Sequence, residues 1–317
     1  MPSRFFILVP ADFSLPRDAC SYGYFLLAPN HWQPRDQSFS RVVNLQGGPA
    51  KVTVVQPDGP GKPLKATSDR TISKPERLQA IAMFTRMLRL DEPSETIADF
   101  HRVDRRWKKA GAGRLCRSPS FFEDVIKTVT SCNVAWPSTI RMNERLCNVV
   151  GLAGAFPTPQ RLARTRANTL RARCSVGYRD QRIVDLAKLF ATPVNRGGVD
   201  VAWFEDPSTL DDAIHEKLLG WPGIGPYAAA NIMQLLGRYA RLPLDSESVR
   251  HGKTLLGFKG SDAQIMKQVK AHFEPFGAHA FRSYWFEILK HYQSLKGSSH
   301  TWDRATTGKS FTAAKMK

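Results

Sequence analysis

The residues with the clearest chemical potential lie between positions 218 and 249, which read LLGWPGIGPYAAANIMQLLGRYARLPLDSESV. Pro222 to Gly225 form a tight turn, because glycine adopts backbone angles that other residues disfavour and leaves room for another backbone. The turn leads into a helix, whose first N–H groups lack intrahelical partners and attract phosphate. Asp245 follows Gly225 by 20 residues in an apolar context. The stretch therefore predicts a backbone phosphate clamp beside one acid. The alternative is an ordinary inter-helix turn and an ordinary helix N-cap.

The overall charge points to a polyanionic partner. The 317 residues include 46 Lys and Arg against 28 Asp and Glu, so the net charge is +18 and the pI about 10.0. Nucleic acid is the first candidate and an anionic membrane surface the second. No apolar run is long enough to span a bilayer and no signal peptide is evident, so we expect an intracellular protein. The five cysteines are scattered without a C-x-x-C pair, which favours reduced thiols.

The sequence divides into three parts. Residues 1–74 are β-rich, residues 75–296 show helical periodicity, and residues 297–317 are polar, basic and non-periodic. We therefore predict a mainly α protein with an N-terminal antiparallel β domain, of class α+β, followed by a disordered tail. The turn and its two helices occupy about 212–237. Three β-strands are predicted at Tyr22–Leu27, Arg41–Leu45 and Lys51–Gln56.

Three motifs resemble one family. The pattern L-x-x-x-P-G-I-G-x-x-x-A and the later aspartate are similar to the helix-hairpin-helix–Gly/Pro/Asp superfamily of DNA glycosylases. Residues 121–147 end in M-x-E-R-L-C, as in 8-oxoguanine DNA glycosylases, and Gly177-Tyr178-Arg179 resembles the G-Y-R element of that branch. The resemblance places the chain nearest that branch, with 3-methyladenine glycosylases second. It implies a two-lobed helical body with the hairpin and the aspartate at the cleft between the lobes.

The resemblance also implies a reaction. A damaged purine, with 8-oxoguanine favoured, would be flipped out of duplex DNA and its N-glycosidic bond hydrolysed. Asp245 would be catalytic, stabilising positive charge on the sugar. Damaged double-stranded DNA is the expected partner of a monomer located with the DNA, in nucleus or nucleoid. No metal or cofactor is expected, apart from a monovalent cation that the hairpin could hold. The hairpin residues expected at the DNA phosphate are Pro222, Gly223, Ile224, Gly225 and Tyr227.

Further residues match positions that contact the unpaired base opposite the flipped nucleotide. Asn133 falls on the asparagine that fills the gap, with an Asx-turn as the alternative. Tyr178 matches the wedge aromatic, with a core tyrosine as the alternative. Trp136 is an additional stacking candidate or else a buried tryptophan packed on Pro137. Ser138 stands where the family has an arginine, which puts recognition of an opposite cytosine in doubt.

The base pocket departs from the bifunctional members. They place a Schiff-base lysine two residues after the second hairpin glycine, where this chain has Tyr227. A phenol cannot form a Schiff base, so we predict a monofunctional enzyme, unless Lys217 or Lys253 replaces that lysine. Tyr227, Phe281 and Trp285 are the predicted pocket aromatics. The family reads the oxidised purine with a backbone carbonyl near Cys20–Tyr24, where Gly23 could serve.

Other functions stay open. The chain could be an alkylated-purine glycosylase of the 3-methyladenine type. It could be a non-catalytic protein that binds damaged DNA with the same fold. The hairpin could also be a DNA anchor in some other enzyme, although the two further motifs and the β-rich N-terminus weigh against that.

Overall fold

The computed structural model describes residues 1–311. A five-stranded antiparallel sheet near the N-terminus is followed by a helical body. The strands are β1 Arg4–Ile7, β2 His31–Gln33, β3 Ser38–Leu45, β4 Gly48–Val55 and β5 Leu64–Ser68. The α-helices are α1 Leu15–Ala19, α2 Lys74–Met87, α3 Ser94–Val103, α4 Phe121–Ser131, α5 Trp136–Val149, α6 Pro159–Ala163, α7 Ala167–Thr169, α8 Asp180–Ala191, α9 Val201–Glu205, α10 Asp211–Leu219, α11 Pro226–Leu236, α12 Ser246–Thr254, α13 Asp262–Phe273 and α14 Ala280–Lys296. Short 3₁₀ helices and one π-helical turn at Leu170–Cys174 connect them.

The sheet has the order β1-β5-β4-β3-β2, and every neighbouring pair is antiparallel. Side chains alternate across β4, so that Ala50, Val52 and Val54 are buried on one face. Helix α2 packs on the sheet, where the rings of Phe39 and Phe84 meet edge to face at 6.5 Å between centroids. This small domain and the helical body give the α+β fold that the sequence predicted.

The described residues form two separate hydrophobic cores, one of which includes the sheet. One core joins the sheet to α2 and to the C-terminal helices α12, α13 and α14. The other is built from α4, α5, α8, α10 and α11 and their connections. Residues on both sides of the cleft between these cores therefore come from segments far apart in the chain.

Buried polar contacts hold the small domain against the second core. The guanidinium of Arg41 on β3 donates to the carboxylate of Glu123 on α4 at 2.8 Å, and Lys127 Nζ lies 2.7 Å from the same carboxylate. Both partners of the Arg41 pair are buried, so removal of one would leave an uncompensated charge. The Tyr22 hydroxyl donates to Asn231 on α11 at 2.8 Å. These contacts fix the sheet relative to the helix that follows the hairpin.

Two sequence predictions need correction. Tyr22–Leu27 is not a strand: Gly23–Leu26 form a 3₁₀ turn whose aromatic and aliphatic side chains are buried. A short apolar run does not distinguish these cases by periodicity. The tail is not disordered over its described part, because Trp302 is 3% exposed and the guanidinium of Arg304 donates to the Leu26 carbonyl oxygen at 2.7 Å. Residues 312–317 of the predicted tail lie outside the described residues.

Within residues 1–311, no helix combines the length and the apolar character needed to cross a membrane.

Candidate active site and nucleic-acid interface

The hairpin between α10 and α11 has the conformation that an anion site needs. Gly223 has φ +73, a left-handed conformation that disfavours side chains, and Gly225 is extended with open space where a Cβ would stand. The Ile224 amide donates to the Trp221 carbonyl oxygen at 3.1 Å and closes the turn. Among the residues that the structure describes, the amides of Gly223, Gly225 and Tyr227 have no acceptor. Their N–H groups are available to a phosphate at the N-terminus of α11.

Asp245 is the N-cap of α12, as the structural alternative proposed, and it also faces a cavity. Its Oδ1 accepts from the amides of Glu247 at 3.0 Å and Ser248 at 3.1 Å, and its own amide donates to the Ser248 hydroxyl at 3.1 Å. Oδ2 accepts no hydrogen bond from any residue in the described part of the chain. Burial raises the pKa of the Asp245 carboxyl to about 6 although these amides oppose it. One oxygen fixes the carboxylate and the other remains free for a reaction.

Asp245 and the hairpin line one cavity of about 610 Å³ between the two cores. Its walls come from the loop between α4 and α5, the turn before α8, the hairpin, and the start of α12. The lining residues that the sequence predicted are Asn133, Tyr178, Gly223, Gly225, Tyr227 and Asp245. Tertiary structure thus brings together residues that span more than a hundred positions. A cavity of this size is in the range of ligand-binding sites.

Tyr227 places its phenol ring in this cavity. Burial raises the pKa of its hydroxyl well above the usual range, and the negative charge of Asp245 raises it further. The thiol of Cys132, another lining residue, also has a pKa raised by burial, to about 11. Both groups therefore stay protonated at neutral pH. Of the three lining groups whose pKa is shifted, Tyr227, Cys132 and Asp245, the carboxyl of Asp245 has the pKa nearest to neutrality.

The predicted wedge side lies at the mouth of the cavity. Tyr178 is 52% exposed, so the alternative of a core tyrosine is wrong. Asn133 has φ +52, is exposed, and makes no side-chain hydrogen bond to any described residue, which leaves its amide free. Its backbone angle is one that asparagine tolerates better than most residues. Both side chains are positioned to meet a ligand that enters the cavity.

Two arginines beside Tyr178 had no role assigned from the sequence, although Arg179 belongs to the G-Y-R element. Arg179 lies 4.4 Å from the Tyr178 ring centroid and is buried. Its guanidinium donates to the carbonyl oxygens of Val129 at 3.1 Å and of Cys132 at the end of α4. Arg182, one turn later on α8, lies 5.1 Å from the same ring and lines the cavity. For Arg182 the available signal was its position four residues after Tyr178, which puts the two side chains on one face if the helix continues.

The predicted pocket aromatics of α14 do not line the cavity. Phe281 is 1% exposed and lies parallel to the Tyr239 ring, 6.3 Å between centroids. The indole N–H of Trp285 donates to the Ser21 carbonyl oxygen at 2.7 Å, and its ring lies 4.8 Å from that of Tyr22. The N-terminal segment covers this face of α14, which the periodicity of α14 alone could not show. The prediction that Phe281 and Trp285 line the base pocket is therefore wrong.

Three further residues that the sequence predicted for the site do not line the cavity either. Trp136 packs on Gly23: a Cβ on that glycine would lie 3.0 Å from the indole Cζ2. Neither residue is among those that line the cavity. Ile224 is buried in the second core, where it anchors the hairpin, and Pro222 is exposed away from the lining. Trp136 is therefore a packing residue, because its indole ring lies against Gly23 and does not line the cavity.

Neither lysine proposed as a displaced nucleophile faces the cavity. Lys217 Nζ lies 4.8 Å from the Trp203 ring centroid, and Lys253 Nζ pairs with Asp262 at 2.8 Å. Among the described residues that line the cavity there is no lysine. Ser248 is another residue that sequence reasoning missed. Its hydroxyl lies 2.6 Å from the Tyr284 hydroxyl on α14 and so ties the start of α12 to that helix.

Comparison with solved structures shows the fold. The 3-methyladenine DNA glycosylase from Archaeoglobus fulgidus matches with a TM-score of 0.63 at 17% identity, over 92% of this chain and 99% of that chain. The 8-oxoguanine glycosylase/lyase of Clostridium acetobutylicum in its apo-form matches with a TM-score of 0.59 at 16% identity, over 84% and 92%. Its complex with DNA containing cytosine opposite to 8-oxoG gives 0.61 at 17%, over 88% and 93%. No protein-family model and no curated protein matches the sequence. The chain has the fold of these DNA glycosylases.

Proposed function

We propose that this protein is a base excision repair DNA glycosylase that binds damaged duplex DNA and hydrolyses the N-glycosidic bond of a damaged purine. The observation that carries the proposal is the shared cavity, which is lined both by Asp245 with a free carboxylate oxygen and by the hairpin with its open amides. A phosphate bound to the hairpin would fix the DNA backbone. The sugar of a flipped nucleotide would then lie in the cavity next to Asp245. The basic surface supplies salt-dependent affinity.

Asp245 performs the chemistry in its ionised form. Cleavage of the bond between C1′ and the base nitrogen builds positive charge on the sugar, and a nearby carboxylate stabilises that charge. Oδ1 is held by two amides, so the carboxylate keeps its orientation during the reaction. Oδ2 can accept a proton from the water whose oxygen bonds to C1′, while the electron pair of the broken C1′–N bond leaves with the base. A cationic alkylated purine departs neutral, whereas a neutral purine departs as an anion that takes a proton from water. No covalent enzyme intermediate is required.

The enzyme is proposed to be monofunctional. A Schiff base needs an amine at the sugar carbon, and Tyr227 occupies the position where the bifunctional pattern has lysine. Lys217 lies against Trp203 and Lys253 is paired with Asp262, and neither lysine lines the cavity. The strand would therefore remain intact after base release and break only on treatment with alkali.

Features of the cavity support alkylated purines over oxidised guanine in our proposal. The sequence motifs favour oxidised guanine, but Gly23 is covered by Trp136 and does not reach the cavity. A neutral oxidised base leaves more easily when it is protonated, and both the Tyr227 hydroxyl and the Cys132 thiol hold their protons too firmly. A cationic alkylated purine needs no proton and is attracted by the electron-rich face of Tyr227. We therefore place alkylated purines first and oxidised guanine second.

Single-turnover cleavage of labelled duplexes tests the whole proposal. One duplex carries a 7-alkylated or 3-alkylated purine and a second carries 8-oxoguanine opposite cytosine. Each is assayed with and without hot alkali, for wild type and for Asp245→Asn. Alkali-dependent breaks that the variant lacks would support a monofunctional glycosylase, and the faster duplex identifies the lesion class. Binding of both duplexes without any breaks would instead indicate a damaged-DNA-binding protein of the same fold.

A further inference from the structure

We propose that Arg182 is a DNA-positioning residue that binds the same backbone phosphate as the hairpin and holds it against the wedge tyrosine. This inference rests on the proposed function, because it assigns one more contact to the same DNA site. The ligand is a phosphodiester group of the strand that carries the flipped nucleotide. Three features of Arg182 support it: its path over the hairpin, its unoccupied guanidinium, and its contact with Tyr178.

The side chain of Arg182 crosses the hairpin at Gly223. A Cβ added to Gly223 would lie 2.4 Å from Arg182 Cδ and 3.1 Å from its Nε. The space that a side chain at position 223 would need is thus already filled by the arginine stem. This places the guanidinium beside the backbone whose amides are open toward the cavity. Gly223 therefore serves two purposes, a left-handed turn and room for Arg182.

The guanidinium of Arg182 is not neutralised within the protein. It makes no hydrogen bond or ion pair with any residue between 1 and 311, and its side chain is exposed. Two carboxylates line the cavity: Asp262 is paired with Lys253, and Asp245 is oriented by its helix cap. The guanidinium of neighbouring Arg179, in contrast, donates hydrogen bonds to carbonyl oxygens at the end of α4. Of these two arginines, Arg182 is the one with donors available to a ligand.

The two kinds of donor complement each other. Hairpin amides bind a phosphate through fixed dipoles without net charge, whereas a guanidinium adds a full positive charge and a planar pair of donors. The guanidinium also lies 5.1 Å from the Tyr178 ring centroid, a cation–π distance. A phosphate bound by both donors is therefore held at a fixed distance from the wedge ring. The position of the DNA strand on the hairpin would therefore determine where the Tyr178 ring enters the duplex.

The test measures the salt dependence of binding. A duplex with a tetrahydrofuran abasic-site analogue, which cannot be cleaved, is titrated with wild type, R182M, R182K and R196M at several salt concentrations. Methionine retains an unbranched apolar stem over Gly223 and removes only the charge. Arg196 is an exposed arginine outside the cavity lining and controls for loss of one positive charge. Melting temperatures of all four proteins establish that each is folded.

We expect the slope of log affinity against log salt to decrease by about 1 in R182M, because one phosphate contact contributes roughly 0.9. R182K should retain the slope, and R196M should equal wild type. A wild-type slope in folded R182M would overturn the role of Arg182, as would an equal decrease in R196M. A wild type that binds this duplex but releases no base from duplexes with an alkylated purine or 8-oxoguanine would overturn the proposed activity and leave the phosphate contact standing. A wild type that does not bind the duplex would overturn both.

Discussion

Replacement of Asp245 by asparagine should make the protein more stable and inactive at the same time. Burial raises the pKa of this carboxyl from 3.8 to about 6 in the folded protein. Below pH 3.8 the group is protonated in both the folded and the unfolded state and has no effect on folding. Between pH 3.8 and 6 the unfolded state loses the proton first. Ionised Asp245 therefore costs folding free energy that grows with pH and is fully present above pH 6.

The size of this cost follows from the shift. Two pKa units correspond to about 3 kcal/mol, and solvent in the open cavity reduces this to roughly 1.5–3 kcal/mol. Asparagine is as good an N-cap as aspartate, so the start of α12 should be preserved. At about 2 °C per kcal/mol for a chain of this size, the melting temperature of D245N should exceed that of wild type by about 3–6 °C at pH 7.5. At pH 4 the two should differ little.

The assay is thermal unfolding of both proteins at pH 4 and pH 7.5, beside single-turnover base release. Asp262→Asn is the matched control, because Asp262 lines the same cavity but is largely exposed. We expect base release by D245N to fall on the order of 10³-fold, as for loss of a general base or charge stabiliser. A D245N protein no more stable than wild type at pH 7.5, or equally stabilised at both pH values, would refute the argument that burial strains this carboxylate.

Four other outcomes are expected. The wild-type single-turnover rate should rise with pH around a midpoint near 6, because Asp245 acts in its ionised form, and a flat profile would contradict that. Ser248→Ala should move this midpoint to higher pH, since the Ser248 hydroxyl lowers the pKa of Asp245, and an unmoved midpoint would deny the coupling. Tyr227→Lys should give a borohydride-trapped complex with damaged DNA that wild type lacks, because it returns an amine to the cavity. Trp302→Ala should lower the free energy of unfolding by about 3–5 kcal/mol in denaturant titrations, and no change would mean that the tail does not pack.

Local features of the chain could be predicted from residue types and their spacing. Helix α11 begins at Pro226 because Gly225 ends the turn and proline suits the first helical position. Helices α4 Phe121–Ser131 and α8 Asp180–Ala191 lie within residues 75–296, where the sequence predicted helical periodicity. Such features depend on neighbours within a few positions, so residue types and spacing are sufficient to predict them. The hairpin and the later aspartate were recognisable for the same reason.

Which side chains face the cavity depends on packing between distant segments, and the sequence did not predict it. Phe281 and Trp285 form an apolar stripe on α14, but a stripe does not state what covers it, and here the N-terminal segment does. Arg182 occupies an exposed helix position, and only the fold brings its stem over the hairpin glycine Gly223. The pKa of Asp245 likewise depends on burial by distant segments. Burial and charge environment arise from contacts between residues far apart in the chain, and local sequence carries no direct record of those contacts.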